Sequence, residues 1–214
     1  TDNNLLLQLH WPGQHGLFSL VRQIRRLLDL DANMLQIEQH LSCHPLFQQG
    51  IVNGLRIPGV WDSWEAGVRA VLGQQVSVAG ARTQLNRLVE ALGQAVAADK
   101  KLFPTPGAVI QSDLQMIKVP QARRDTLKAL AAFVLQQPEA DPGQWQQIKG
   151  IGPWTINYAR LRGLSDSDIW LGGDLGVQKA LAKHADNGSV ALAHSNLAPW
   201  RSYATFQLWF SLGD

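Results

Sequence analysis

Apolar side chains recur at helical spacing in several stretches of the chain. Positions i, i+3, i+4 and i+7 carry leucine, isoleucine, valine or alanine within residues 17–28, 85–92 and 127–134, a pattern typical of amphipathic helices. Glycine and proline interrupt these stretches and leave helices of ordinary length joined by short loops; they lie at residues 58–59, 104–107, 138, 142–143 and 172–173. The pattern predicts an all-α protein.

One segment near the start of the chain resembles a strand instead. Residues 5–10 are rich in leucine, and a strand without a partner is not stable. We therefore expect residues 1–12 to form the edge of a small sheet or the remnant of an N-terminal domain. The chain begins with Thr1 rather than methionine, so an upstream domain or targeting signal stays possible.

Composition narrows the class of protein only slightly. The 214 residues are 45% hydrophobic and 17% charged, with a formal net charge of +2, which is ordinary for a globular protein and too mild to indicate a polyanion as partner. The strongly apolar stretch at residues 127–135 is far shorter than a membrane span of roughly 20 residues. The lone Cys43 excludes a disulfide framework, a cysteine-rich zinc site and a four-cysteine iron–sulfur cluster, and reducing, intracellular conditions fit it best.

The most informative motif lies at residues 144–160, which read QWQQIKGIGPWTINYAR. Gly150 and Gly152 allow positive φ and expose backbone N–H groups, and Pro153 suits the first turn of a helix. The expected structure is a short helix, a tight hairpin and a second helix that begins at Pro153 or Trp154. Its N–H groups and helix dipole would bind an anion such as a DNA phosphate, although a plain helix–helix turn has the same sequence features.

This segment resembles the helix-hairpin-helix of base-excision DNA glycosylases. About 20 residues further on come residues 169–174 (IWLGGD), where family members place a glycine- and proline-rich loop and an aspartate. Within the family the chain resembles the DNA-3-methyladenine glycosylase II, or AlkA-like, branch, which also has counterparts of residues 68–78 (VRAVLGQQVSV) and 199–204 (PWRSYA).

The resemblance implies a fold with two helical lobes. One lobe would comprise residues 63–166 and end in the helix-hairpin-helix at residues 144–163. The other would combine residues 13–62 with residues 167–214 and carry the catalytic aspartate. The substrate cleft would lie between them.

Asp174 is the candidate catalytic carboxylate. Hydrolysis of an N-glycosidic bond develops positive charge on the sugar, which an ionised carboxylate stabilises. The default interpretation of an aspartate before a helix is an N-cap, and the two roles are compatible.

The resemblance places Trp154, Tyr158 and Trp209 in the base pocket. Aromatic faces attract a cationic alkylated purine by about 0.5–2 kcal/mol each, whereas the alternative is that these rings are core residues. Bifunctional members carry a Schiff-base lysine at the position of Trp154, so the resemblance implies a monofunctional enzyme. The remaining tryptophans are expected to be structural; they are Trp11, Trp61, Trp64, Trp145, Trp170 and Trp200.

Further site residues follow from the resemblance. Gln74 and Gln75 occupy the position of the side chain that fills the gap left by a flipped base, where the family can have an apolar residue. Contacts with the DNA backbone would come from residues of the hairpin, namely Gly150, Gly152, Trp154 and Thr155. Backbone carbonyls would hold a monovalent cation; these are the carbonyls of Gln146, Ile148 and Ile151. No other cofactor is required.

We therefore expect a monofunctional glycosylase that flips alkylated bases of the 3-methyladenine and 7-methylguanine type out of double-stranded DNA in base excision repair. We expect a monomer without a membrane segment, cytoplasmic and associated with the nucleoid in a bacterium, or otherwise intracellular. The alternatives are a non-catalytic helix-hairpin-helix module, a bifunctional glycosylase and lyase, and a fragment of a larger repair protein.

Overall fold

The computed structural model describes residues 5–9, 13, 15–185 and 194–213. Helices dominate this part of the chain, as predicted; they are α1 (Leu17–Leu27), α2 (Met34–Ser42), α3 (Ser63–Gly73), α4 (Val78–Leu92), α5 (Pro106–Gln111), α6 (Gln121–Gln136), α7 (Pro153–Ala159), α8 (Leu175–Ala185) and α9 (Arg201–Phe210). Tighter 3₁₀ turns lie at Pro45–Phe47, Pro142–Gln147 and His194–Leu197, and a π turn at Arg160–Leu164 extends α7. Within these residues no helix is long and apolar enough to cross a membrane.

Polar side chains set the starts of several helices. The Asp62 carboxylate accepts a hydrogen bond from Glu65 N at 2.8 Å at the start of α3, and the Ser77 hydroxyl accepts one from Gly80 N at 3.1 Å at the start of α4. Each cap satisfies an N–H group that has no partner within the helix. The amphipathic stretches predicted at residues 17–28, 85–92 and 127–134 lie in α1, α4 and α6.

The predicted strand near the start of the chain is not found. Residues 5–9 pair with no strand among the described residues, and Leu6 is 99% exposed. His10, the last residue of the predicted strand, lies outside the described residues. A short antiparallel pair that the sequence did not predict joins β1 (Ala95–Ala97) to β2 (Lys100–Lys101). Strands of two or three residues are too short to show alternation of apolar and polar residues.

Buried apolar side chains form two clusters. The first draws its members from residues 60–159 and includes fully buried Leu88 and Leu127. The second draws its members from residues 37–57 and 161–208 and includes Leu161. Burial of each such side chain contributes roughly 1.5–3 kcal/mol.

Helix α7 contacts both clusters. Ile156 and Ala159 belong to the first cluster, whereas Trp154 and Tyr158 pack against the second. The helix of the predicted hairpin therefore lies between the two cores.

Candidate active site

The hairpin that precedes α7 depends on Gly150. This residue has φ of +91°, a conformation that glycine adopts without steric cost. A Cβ atom built on it would lie 2.3 Å from the Thr126 hydroxyl, which donates to the Lys149 carbonyl at 2.9 Å. Gly152 does not need positive φ, contrary to the prediction, because it is the extended N-cap of α7 with φ of −107°. Helix α7 begins at Pro153, as predicted.

The two glutamines of the predicted wedge differ in their contacts. The Gln74 side chain donates to the Gly150 carbonyl and to the Thr155 hydroxyl, both at 3.0 Å, and it thereby ties the end of α3 to the hairpin. Gln75 is exposed and has φ of +56°, which is uncommon outside glycine. Gln74 is thus engaged by the protein, while Gln75 lies at the surface.

The Asp174 carboxylate accepts three hydrogen bonds. Its Oδ1 accepts from Trp209 Nε1 at 2.8 Å and from Val177 N at 3.0 Å, and its Oδ2 accepts from Trp154 Nε1 at 3.0 Å. The bond from Val177, three residues along, is that of an N-cap. The structure thus brings Trp154 of the hairpin and Trp209 of α9 to one half-buried carboxylate at the N-terminus of α8.

Four rings form an aromatic cluster beside this carboxylate: Trp154, Tyr158, Phe206 and Trp209. The ring centroids of Trp154 and Tyr158 are 5.4 Å apart, and those of Phe206 and Trp209 are 5.1 Å apart at an interplanar angle of 68°. Both tryptophans are half-buried, so part of each ring is open to a ligand. Sequence reasoning missed Phe206, although its spacing of three residues from Trp209 on one helix would have indicated it.

Gly176 allows Trp209 to approach Asp174. A Cβ atom at this glycine would lie 3.0 Å from Asp174 Oδ1 and 3.0 Å from Trp209 Cδ1, closer than most real contacts. Gly173 has no atom within 4 Å of a built Cβ, and Leu175 is 65% exposed. Sequence reasoning did not single out Gly176.

An ion pair fixes the loop that carries Asp174 to the start of α9. Arg201 donates to both carboxylate oxygens of Asp168 at 2.7 Å, and the hydrogen bond from the Arg201 guanidinium lowers the pKa of Asp168. The Ser202 hydroxyl accepts from Ile169 N at 2.9 Å and donates to the Asp166 carbonyl at 2.6 Å. The motif at residues 199–204 thus holds residues 166–169, at the start of the loop that leads to Asp174, against α9.

The remaining predicted site residues lie in or near the hairpin. Thr155 is buried as a whole residue, at 1% exposure, and its hydroxyl accepts from Gln74, so the predicted contact of Thr155 with DNA does not fit this structure. Gly150 and Gly152 are exposed. Ile148 O accepts from Ile151 N at 3.0 Å, and Gln146 is exposed. In the described ranges, no group of three or more His, Cys, Asp or Glu side chains is placed to hold a metal ion.

Comparison with solved structures defines the class of the fold. The 3-methyladenine DNA glycosylase from Archaeoglobus fulgidus matches with a TM-score of 0.73 at 17% identity, over 92% of this chain and 76% of that one. The Schizosaccharomyces pombe 3-methyladenine DNA glycosylase, solved in complex with abasic DNA, matches with a TM-score of 0.63 at 20% identity, over 90% and 97%. The fold is that of the helix-hairpin-helix DNA glycosylases.

Comparison of sequences then gives the family. The DNA-3-methyladenine glycosylase 2 of Escherichia coli strain K12 is 32% identical over 194 residues, which cover 81% of this chain and 68% of that protein. The AlkA N-terminal domain family matches residues 1–62. The chain belongs to the AlkA family of DNA-3-methyladenine glycosylases.

The chain spans less than half the length of another relative. The "Probable bifunctional transcriptional activator/DNA repair enzyme AlkA" of Mycobacterium tuberculosis is 36% identical over 214 residues. The matched region is 92% of this chain, and the chain spans 43% of the length of that relative.

Proposed function

We propose that the chain hydrolyses the N-glycosidic bond of alkylated bases in double-stranded DNA, as a monofunctional glycosylase of base excision repair. The observation that carries this proposal is the Asp174 carboxylate, held by the indole N–H groups of Trp154 and Trp209 at the N-terminus of α8. The names of the relatives, DNA-3-methyladenine glycosylases, support the substrate class.

The carboxylate acts by charge. Breaking the N-glycosidic bond leaves positive charge on the sugar, and a fixed anion nearby lowers the barrier; a preorganised group of this kind is worth about 2.7–4 kcal/mol. The three donors on Asp174 fix the direction of its carboxylate, since neither oxygen can turn away without breaking a hydrogen bond. A cationic alkylated base is a good leaving group, so the reaction needs no general acid.

The residue at the lyase position supports the monofunctional reaction. Trp154 carries no amine, and its indole N–H is bound to Asp174 at 3.0 Å. Lys149 is exposed on the other side of the hairpin. Water, rather than a lysine, is therefore the nucleophile that replaces the base, and the product is an intact strand with an abasic site.

The hairpin and the end of α3 would hold the DNA. The backbone N–H groups of Gly150, Gly152 and Trp154 are proposed to bind phosphate at the positive end of α7, whereas Thr155 is buried and supports the hairpin through its bond with Gln74. Gln75, which is exposed, would fill the gap left by the flipped base. Gln74 would support it indirectly, by holding the hairpin.

We also propose that the hairpin holds a monovalent cation. The carbonyls of Gln146, Ile148 and Ile151 would be its ligands; the Ile148 carbonyl, which also accepts from Ile151 N, would use its second lone pair. A bound cation would lend positive charge to the phosphate site. We also propose that the protein acts as a monomer inside the cell, which size-exclusion chromatography at the working concentration would test.

The test is base release from methylated duplex DNA by the unmodified chain and by Asp174→Asn. The unmodified chain should release free methylated purine and leave abasic sites that break only after alkali, without a borohydride-trapped adduct. Asp174→Asn should release base at least about 100-fold more slowly, while its affinity for duplex DNA with an abasic analogue is kept. Its folding must be checked by thermal melting, because the Asn amide would point an N–H at an indole donor. Direct strand cleavage would contradict the monofunctional reaction, and fast release by a folded Asp174→Asn would contradict the mechanism.

A further inference from the structure

A guanidinium lies behind the aromatic cluster. Arg162 lies in the π turn that extends α7, and its Cζ is 6.0 Å from the Tyr158 ring centroid and 5.6 Å from the Phe206 ring centroid. Both distances are within the range of a cation–π interaction. Sequence reasoning missed this residue, although it follows Tyr158 by four positions.

The charge of Arg162 has no acidic partner in the part of the chain that the structure describes. Every ion pair found there involves other residues, and Arg162 Nε is buried without a hydrogen-bond partner. A partly buried charge of this kind is costly unless its surroundings compensate it. Here the aromatic faces of Tyr158 and Phe206 supply the compensation.

The arginine and the carboxylate lie at opposite ends of the aromatic cluster. Tyr158 packs on Trp154 and Phe206 packs on Trp209, and both indoles donate to Asp174. Two pairs of rings thus lie between the Asp174 carboxylate, which is proposed to face the sugar, and the Arg162 guanidinium.

From this arrangement we infer that Arg162 is a specificity-determining residue, which extends base release to neutral lesions and reduces the advantage of cationic ones. The inference rests on the proposed function. The electron pair of the N-glycosidic bond leaves with the base, so a cationic base departs neutral and a neutral base departs as an anion. The fixed positive charge of Arg162 opposes binding of a cationic base. It stabilises the anion that a neutral base becomes when it departs.

The size of the effect follows from Coulomb's law. Two unit charges on the order of 10 Å apart, at an effective dielectric constant of about 20, change a rate or an equilibrium by roughly tenfold. Arg162 also lies against the aromatic faces of Tyr158 and Phe206, which would otherwise attract a cationic base. This contact further reduces the preference for cationic lesions.

The experiment compares two bases in otherwise identical duplexes, 7-methylguanine as the cationic lesion and hypoxanthine as the neutral one. Release is measured in single turnover at subsaturating protein. Arg162→Gln should raise the ratio of 7-methylguanine to hypoxanthine release by about tenfold, and Arg162→Lys should keep the wild-type ratio. Arg162→Met, which removes the charge and keeps the length of the stem, should repeat the result if the glutamine disturbs folding.

The matched control is Arg160→Gln. Arg160 lies two residues earlier and carries the same charge, but it is paired with Asp141, and the cation–π contacts found with the four rings are those of Arg162. Its loss should leave the ratio unchanged.

The outcomes separate this inference from the proposed function. If the unmodified chain releases neither base, the proposed function fails. If it releases 7-methylguanine but no hypoxanthine, or if folded Arg162→Gln and Arg162→Met slow both releases equally, Arg162 only packs the rings and the inference is overturned.

Discussion

Trp209 Nε1 donates a hydrogen bond of 2.8 Å to Asp174 Oδ1 across 35 residues of sequence. Trp209 lies on α9 and Asp174 immediately precedes α8, while Trp154 reaches the other carboxylate oxygen from α7. Each tryptophan therefore sets the direction of the carboxylate, in addition to the contact with the base that is proposed for its ring. A ring and its N–H group can be tested separately.

Replacement of Trp209 or Trp154 by phenylalanine keeps an aromatic ring and removes the donor. A hydrogen bond to a charged group contributes about 1.5–3 kcal/mol, so each variant should release 7-methylguanine at least roughly tenfold more slowly. Trp200→Phe is the control, since Trp200 packs edge-on against Tyr203 and makes no contact with Asp174. Wild-type rates in both test variants would mean that the rings act through shape alone.

Gly176→Ala should slow base release without unfolding the protein. The new methyl group would press on Asp174 Oδ1 and Trp209 Cδ1, both 3.0 Å from its position, and would separate the indole from the carboxylate. Gly173→Ala is the matched control, because its Cβ would meet no atom within 4 Å. Equal rates for the two variants, measured in the same single-turnover assay, would show that the close approach at Gly176 is unimportant.

The two glutamines at the end of α3 should have different mutant phenotypes. Gln74→Ala loses two hydrogen bonds to the hairpin and should lower the free energy of unfolding by about 1–2 kcal/mol. Gln75→Ala should leave stability within about 0.5 kcal/mol and reduce base release from duplex DNA. Urea denaturation and the release assay measure the two effects. A destabilised Gln75→Ala with normal activity would reverse the assignment.

The Asp168–Arg201 ion pair should make stability depend on pH in the acidic range. Arg201 lowers the pKa of Asp168 in the folded state, so the unfolded state, with a pKa of about 3.9, binds the proton more tightly. The contribution is therefore complete above about pH 5 and is lost as the pH falls through the lowered pKa. The difference in unfolding free energy between the unmodified chain and Asp168→Asn should shrink below about pH 4. A difference that stays constant to pH 2 would contradict this.

A cation at the hairpin should stabilise the folded state by mass action. Replacing sodium or potassium with a bulky organic cation at equal ionic strength should lower the melting temperature of the unmodified chain. It should also weaken binding to duplex DNA. Identical melting curves in all three salts would argue against the site.

The sequence predicted the helices and the hairpin because both depend on local patterns. The spacing of apolar residues identified α1, α4 and α6, and Pro153 marked the start of α7. The family resemblance also identified Asp174, Trp154 and Trp209, which the fold brings together. The sequence did not predict that the two indole N–H groups bind the Asp174 carboxylate.

The missed features arise from contacts between distant segments. Phe206 and Arg162 become neighbours only when α9 packs near the π turn after α7, and Gly176 matters only because Trp209 lies over it. Gln74 and Gln75 are adjacent in sequence and similar in chemistry, yet the backbone at the end of α3 gives them different partners. Residues 5–10 were predicted as a strand from composition, yet residues 5–9 pair with no strand among the described residues, because β1 and β2 pair with each other.

The cap that Asp174 provides for α8 has a consequence for how this protein can be altered. Most helix starts tolerate exchange among aspartate, asparagine, serine and threonine, and such exchanges are a common route to thermostable variants. At α8 that freedom is lost, because the oxygen that caps the helix also accepts the Trp209 indole. A substitution of Asp174 that changes the stability of α8 therefore also changes the hydrogen bond with Trp209 in the candidate active site.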